Sequence, residues 1–195
     1  TLSGLAIAAL VGILMGVMWG YMRKLDFLFT ELYNIINNIP STIILVLATY
    51  VMRPSVLTLI IAMCITGWCG PARFVRSEML RIKSEEFTLA AQLLGVSPWK
   101  IVTRHFIPNT VSIIIVNITF SIPSYIFSEA FLSYLGLGIQ PPGTSWGALA
   151  SMAQSQFTFY PYLLFWPVLM IALTMLCFTL IGEGMRDALD PKARK

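Results

Sequence analysis

The chain has 195 residues, 57% of them hydrophobic and only 11% charged, against about 25% charged in ordinary soluble domains. That balance excludes a water-soluble globular domain and places the chain among polytopic membrane proteins. Its formal net charge of +4 comes from basic residues clumped between apolar runs, which is a topology signal and not a nucleic-acid patch.

The charge-free runs are Thr1–Met22, Leu32–Met52, Pro54–Ala72, Phe106–Ser128 and Ala130–Gly182. A membrane span needs roughly 20 apolar residues, so each of the first four predicts one helix. The fifth is broken by Gln140-Pro141-Pro142-Gly143, which cannot continue a helix. It predicts a loop near Leu137–Thr158 and a last span over Phe159–Ile181. The expected fold is therefore all-α, with five transmembrane helices. With five crossings, Arg23 and Lys24, the middle-loop cations from Arg73 to Arg104, and Arg186, Lys192, Arg194 and Lys195 of the tail share one side. Only Arg53 falls on the other. The positive-inside rule makes the crowded side cytoplasmic, with Thr1 outside and the C-terminus inside.

In the first span Gly12, Gly16 and Gly20 are spaced to let another helix approach closely. Packing within the chain and contact with another subunit both fit that spacing. A chain that begins with Thr and enters an apolar run at once is expected to be a fragment, and the run lacks the basic front end of a signal peptide. Span two carries Asn34, Asn37, Asn38 and Ser41 on what a continuous helix kinked at Pro40 would make one face. Span four repeats the pattern with Asn117, Ser121, Ser124 and Ser128 around Pro123. Polar faces in hydrocarbon turn towards partner helices or a wet cavity. The stripes therefore read as interhelical hydrogen bonding or as the lining of a translocation path, with Asn34, Asn38, Asn117, Ser121 and Glu129 as pathway candidates. Glu129 would cost roughly 2.5–3.5 kcal/mol deep in a span, so it sits near the outer interface, pairs with a donor, or faces water. Cys64, Cys69 and Cys177 fall inside spans and read as small packing residues. Trp146, Phe157, Phe159, Tyr160 and Tyr162 suit an interfacial belt.

The middle loop, residues 71–109, reads as two short helices on the water side. Ser84 is an expected N-cap with Glu85 and Glu86 in the first turn. Gly95 falls where a left-handed C-cap belongs, flanked by Leu94 and Val96. Ser97 and Pro98 restart a helix that Pro108 is expected to stop. A folded helix pair between spans suggests docking to something outside the membrane. Phe87, Ala91 and Leu94 share a helix face at i, i+4 and i+7 and are the expected contact.

Ala90-Ala91, Gly95 and Ile107-Pro108 resemble the "EAA" loop of the membrane subunits of ABC importers. His105 and Asn109 beside Pro108, the run Ser128-Glu129-Ala130-Phe131-Leu132-Ser133-Tyr134-Leu135-Gly136-Leu137-Gly138, and the tail Gly184-Met185-Arg186-Asp187-Ala188-Leu189-Asp190-Pro191 are similar to its oligopeptide/dipeptide/nickel branch, in the second, C-type subunit. The resemblance runs over residues 1–195. Leu89 stands where the loop's name-giving glutamate would be, which removes a carboxylate but keeps the helix–glycine–helix frame. The resemblance implies the type I importer transmembrane fold, lacking one N-terminal span, in the cytoplasmic membrane. It implies ATP-driven, binding-protein-dependent uptake of peptides or a related small solute. Implied partners are a second homologous permease subunit, two cytoplasmic ATPase subunits holding ATP and Mg, an extracytoplasmic solute-binding protein and membrane lipid. Phe87, Ala90, Ala91, Leu94, Gly95, His105 and Pro108 would then form the coupling site seated in the ATPase, and Glu129 would have a structural role at the outer end of the path.

No catalytic or metal site is expected in this chain. It has no Gly-x-x-x-x-Gly-Lys-Ser/Thr phosphate loop and no His-Glu-x-x-His pair, and the single His105 cannot make a metal site or a triad. A channel or secondary transporter subunit not coupled to ATP would explain the polar stripes but not the capped loop helices.

Overall fold

The computed structural model describes residues 1–22 and 26–189, apart from the side chains of Pro98 and His105. Arg23, Lys24, Lys192, Arg194 and Lys195, which the topology argument uses, lie outside the described residues. The described residues form α-helices and one π-helical segment, with no strand.

Helix α1 (Leu2–Tyr21) packs along α5 (Cys69–Lys83) through its glycine stripe. A Cβ at Gly12 would lie 2.7 Å from the Trp68 carbonyl oxygen, one at Gly16 2.6 Å from that of Ala72, and one at Gly20 2.8 Å from Met79 Cβ. The two backbones meet directly, so packing within the chain is the reading of the stripe that the structure realises. Helix α4 (Val56–Gly67) and α5 make one apolar span, Val56–Lys83, interrupted only at Trp68. Pro71 accounts for the interruption, since it has no N–H for the Gly67 carbonyl and its ring crowds that group. This span was expected to end at Ala72. It continues to Lys83 because Val75, Met79 and Ile82 are buried in a cluster with Val102 and Phe106. The first third of segment 71–109 is thus an extension of a span and not a loop.

Span two also departs from expectation. It is two helices, α2 (Asp26–Asn37) and α3 (Ser41–Met52), bent by 80° at the break. Pro40 supplies no N–H and drives Ile39 out of the helical region, so the helix ends there instead of kinking. The four polar residues therefore do not share one helix face. Among the described residues, four helices are long and apolar enough to span a membrane, or five if this bent pair counts as one.

Further on come α6 (Glu86–Leu93), α7 (Pro98–Ile101), the π-helical segment Val102–Phe106, α8 (Ile107–Tyr134), α9 (Trp146–Ser155) and α10 (Tyr162–Leu189). Helix α9 lies inside what was expected to be an outer loop. Ser145 caps it, accepting from the Ala148 N–H at 3.3 Å, and Gly147 lets it sit directly on the Ala130 backbone of α8. Its small residues Ala150 and Ala153 are buried, which fits a short helix packed against α8 and α10. The outer face of α10 exposes Phe165, Trp166, Leu173, Leu176 and Leu180, a surface stable in lipid and not in water. The molecule is a multi-pass membrane protein.

Candidate functional site

Most of the sequence-predicted residues fall in two regions: the turn around α6, and a polar cavity among the spans. The turn begins where α5 ends. Ser84 does not cap α6; its hydroxyl donates to the Arg81 carbonyl at 2.7 Å, and Glu85 occupies the N-cap position without a side-chain cap bond. The correction follows from the length of α5, which places Ser84 on its last turn. Arg81 pairs with Glu78 at 2.8 Å and with Glu85 at 3.5 Å, tying the two helices across the corner.

Helix α6 closes as the sequence predicts. Gly95 has φ +73°, the Val96 N–H donates to the Ala91 carbonyl at 3.0 Å and the Gly95 N–H to that of Gln92 at 3.0 Å, the paired bonds of a Schellman cap. Its faces differ from expectation. Ala91 is buried, as is Thr88, so Ala91 does not join an exposed contact face. The apolar residues left outside are Phe87, Leu89, Leu93 and Leu94, the last two 89% and 84% exposed, with Ala90 beside them.

Pro108 does not stop the helix begun at Pro98. Helix α7, the π segment and α8 run on continuously to Tyr134, with the Ile107 N–H bonded to the Val102 carbonyl. In a plain α-helix the Pro108 ring would strike the Arg104 carbonyl; the wider π turn opens the room it needs. Val102 and Phe106 anchor this stretch, buried among Val75, Met79 and Ile82 of α5. His105 lies in the π segment by its backbone, while its side chain is outside the described residues. Trp99, near the start of the rod, is 73% exposed.

Further along, the rod's middle borders a cavity of about 430 Å³. Asn117, Ser121, Ser124, Tyr125 and Ser128 of α8 line one wall, Asn37 and Ser41 the second, and Thr66, Gly67 and Gly70 the third. The cavity sits where three irregularities meet: the α2–α3 elbow, the α4–α5 interruption and Pro123. Irregular backbone leaves carbonyls without partners and is tolerated at membrane depth only beside protein or water. The two stripes converge in part, with two of the four span-two residues lining the cavity. The 80° bend brings in Asn37 and Ser41, while Asn34 and Asn38 are exposed and do not line this space. Ser121 donates to the Asn117 carbonyl at 3.0 Å and Ser128 to that of Ser124 at 2.8 Å, so these hydroxyls turn oxygen lone pairs to the cavity. Its described lining contains no charged side chain. Tyr125 was legible in principle, one helical turn after Ser121, whereas nothing local marks Thr66.

Glu129 does not line the cavity. Its Oε1 accepts from Ser133 at 2.9 Å, and Gly138 packs directly on Ser133. A second Schellman cap follows, with Gly136 at φ +77° and the Leu137 N–H on the Leu132 carbonyl at 2.9 Å. The carboxylate thus belongs to the turn that leads into α9.

Over residues 9–195 the chain matches a family described as "Binding-protein-dependent transport system inner membrane component". It is 42% identical over 193 residues to the "Oligopeptide transport system permease protein OppC" of Bacillus subtilis, covering 96% of this chain and 63% of the relative. Against the "Dipeptide transport system permease protein DppC" of the same organism it is 38% identical over 194 residues, covering 96% and 61%. Against the OppC protein of Escherichia coli it is 40% identical over 171 residues, covering 88% and 57%. The chain therefore spans less than two thirds of the length of these curated relatives.

Proposed function

We propose a transport role from one premise: this chain belongs to the family of binding-protein-dependent transport system inner membrane components. Its role is that of a permease subunit in an ATP-driven importer, forming half of a path shared with a second homologous subunit. Two ATPase subunits on the cytoplasmic side bind ATP and Mg, and a solute-binding protein delivers cargo to the opposite face. The printed names of the relatives, oligopeptide and dipeptide permeases, point to peptides or a related small solute. The side carrying α6 and the C-terminus is cytoplasmic, on the strength of the basic residues crowded there.

One observation supports this reading above the rest. A single helical rod runs from Pro98, beside the exposed apolar residues of α6, to Tyr134, and its middle walls the polar cavity. A displacement imposed at the turn reaches Asn117 and Ser121 along one continuous helix. Nucleotide can shift the equilibrium between inward- and outward-open states only through contacts that differ between them. ATPase closure around Phe87, Ala90, Leu93 and Leu94 would supply such contacts. The cavity's neutral amides and hydroxyls would replace water around a polar solute without holding it by charge. A channel uncoupled from ATP would use the cavity but has no use for an exposed, Schellman-closed apolar turn.

The test places Asn37→Cys or Ser121→Cys in the full importer, in a background lacking Cys64, Cys69 and Cys177, reconstituted in proteoliposomes. Labelling by a membrane-impermeant thiol reagent should switch sides when ATP is trapped. Identical labelling in every nucleotide state would refute the lever.

A further inference from the structure

At the loop-side end of α1, aromatic rings gather against three cations of α5. Arg73 lies over the Tyr33 ring at 5.5 Å, Arg76 over the Trp19 ring at 4.8 Å and Lys83 over the Tyr21 ring at 5.2 Å. Positions 73, 76, 80 and 83 fall on one stripe of the helix, and Leu80, 43% exposed, separates Arg76 from Lys83. Elsewhere on α5, Arg81 is neutralised by Glu78 and Glu85. On the aromatic side the ion pairs of the described residues include one carboxylate, Asp26, whose Oδ1 accepts from Arg76 Nε at 3.1 Å and Nη2 at 2.7 Å. Three cations against one anion leave this face positive. Trp19 is held in place by its Nε1–H bond to Thr30 at 3.3 Å. Between these groups opens a cavity of about 350 Å³ lined by Trp19, Gly20, Asp26, Arg76, Leu80 and Lys83.

Depth identifies what would enter it. Trp and Tyr at the end of an apolar span mark the level of the lipid headgroups, and Lys and Arg at that level reach for phosphates while their stems stay in contact with hydrocarbon. A small solute anion would meet the cations but leave Leu80, 43% exposed, wet. An amphipathic anion satisfies both walls. We propose that this cavity is a binding site for an anionic glycerophospholipid of the surrounding leaflet, its phosphate on Lys83 and the outer edge of Arg76, its glycerol and upper acyl carbons on Leu80. The site rests on interfacial depth and holds whether or not the transport reading does.

Native mass spectrometry of the full membrane assembly tests it, after equilibration with phosphatidylcholine vesicles containing a minor fraction of phosphatidylglycerol. The wild type should retain phosphatidylglycerol in preference to phosphatidylcholine. Lys83→Gln should lower that preference about fivefold, the factor corresponding to one cation at an anionic leaflet. Lys83→Arg should keep it, and Lys100→Gln, on the exposed helix α7, should leave it unchanged. Added inorganic phosphate should not displace the lipid. Equal retention of the two lipids by the wild type, or an unchanged preference in Lys83→Gln, would overturn the proposal. So would loss in Lys83→Arg, which would tie the effect to packing around Tyr21, or displacement by inorganic phosphate, which would make this a small-anion site.

Discussion

Gly95 separates two reasons for needing glycine. Its φ is +73°, and a Cβ built on it would meet no atom within 4 Å. Size is therefore not the constraint within this chain; backbone conformation is. An L-residue in that conformation costs roughly 1–2 kcal/mol, Asn least because its short polar side chain tolerates it, and a β-branched residue most. The expected order of stability is Gly, then Asn, then Ala, then Val, although Asn is bulkier than Ala. The Schellman bonds to Ala91 and Gln92 depend on the same φ, so relaxing the strain would re-aim α7 and the rod that follows it. The assay is paired: thermal unfolding of the assembled protein, and ATP-dependent uptake beside ATP hydrolysis in proteoliposomes. Gly95→Asn should keep uptake coupled, while Gly95→Val should hydrolyse ATP with little uptake and insert normally. An order that follows side-chain volume, with Ala better than Asn, would refute the conformational argument. Full coupling in Gly95→Val would refute the lever.

Gly16 should behave in the opposite way. A Cβ there meets the Ala72 carbonyl at 2.6 Å and Val75 Cβ at 2.7 Å, so Gly16→Val should lose at least about 1–3 kcal/mol by forcing α1 from α5. Gly184→Ala in α10, with nothing within 4 Å, should be neutral or stabilising by up to about 1 kcal/mol; thermal unfolding of both variants checks the contrast. Leu93→Glu, at a position 89% exposed, should change the stability of the isolated chain by less than about 0.5 kcal/mol yet reduce ATP-coupled uptake, as side-by-side melting and transport assays would show. Asp26→Asn removes a pair whose side chains are 44% and 28% exposed, so solvent screening limits the loss to about 1 kcal/mol. A denaturation shift several times larger would mean that the pair is desolvated in the assembly.

The residues read correctly from sequence were those whose requirement is local. Gly95 and Ser97-Pro98 mark a turn because left-handed φ and the missing proline N–H are properties of those residues themselves. The apolar runs count spans because hydrocarbon thickness acts on consecutive residues, and the spacing of Gly12, Gly16 and Gly20 marks a close approach wherever the partner helix lies. What proline does next is not local. Pro40 ends a helix with an 80° bend, Pro71 only interrupts one, and Pro108 is absorbed by a π turn. The outcome depends on which neighbours are anchored, as Val102 and Phe106 are by α5. The bend in turn decides that Asn37 and Ser41, not Asn34 and Asn38, meet Asn117 and Ser121. Helix α9 was invisible for a related reason: ten residues rich in alanine and polar groups make a weak signal, and the helix packs because Gly147 and Ala130 let two backbones touch. The sequence alone determined the class, the number of apolar runs and the capped turn. Only tertiary packing decided which polar residues face one another, because a bend rotates every side chain beyond it and no single stretch of sequence records the angle.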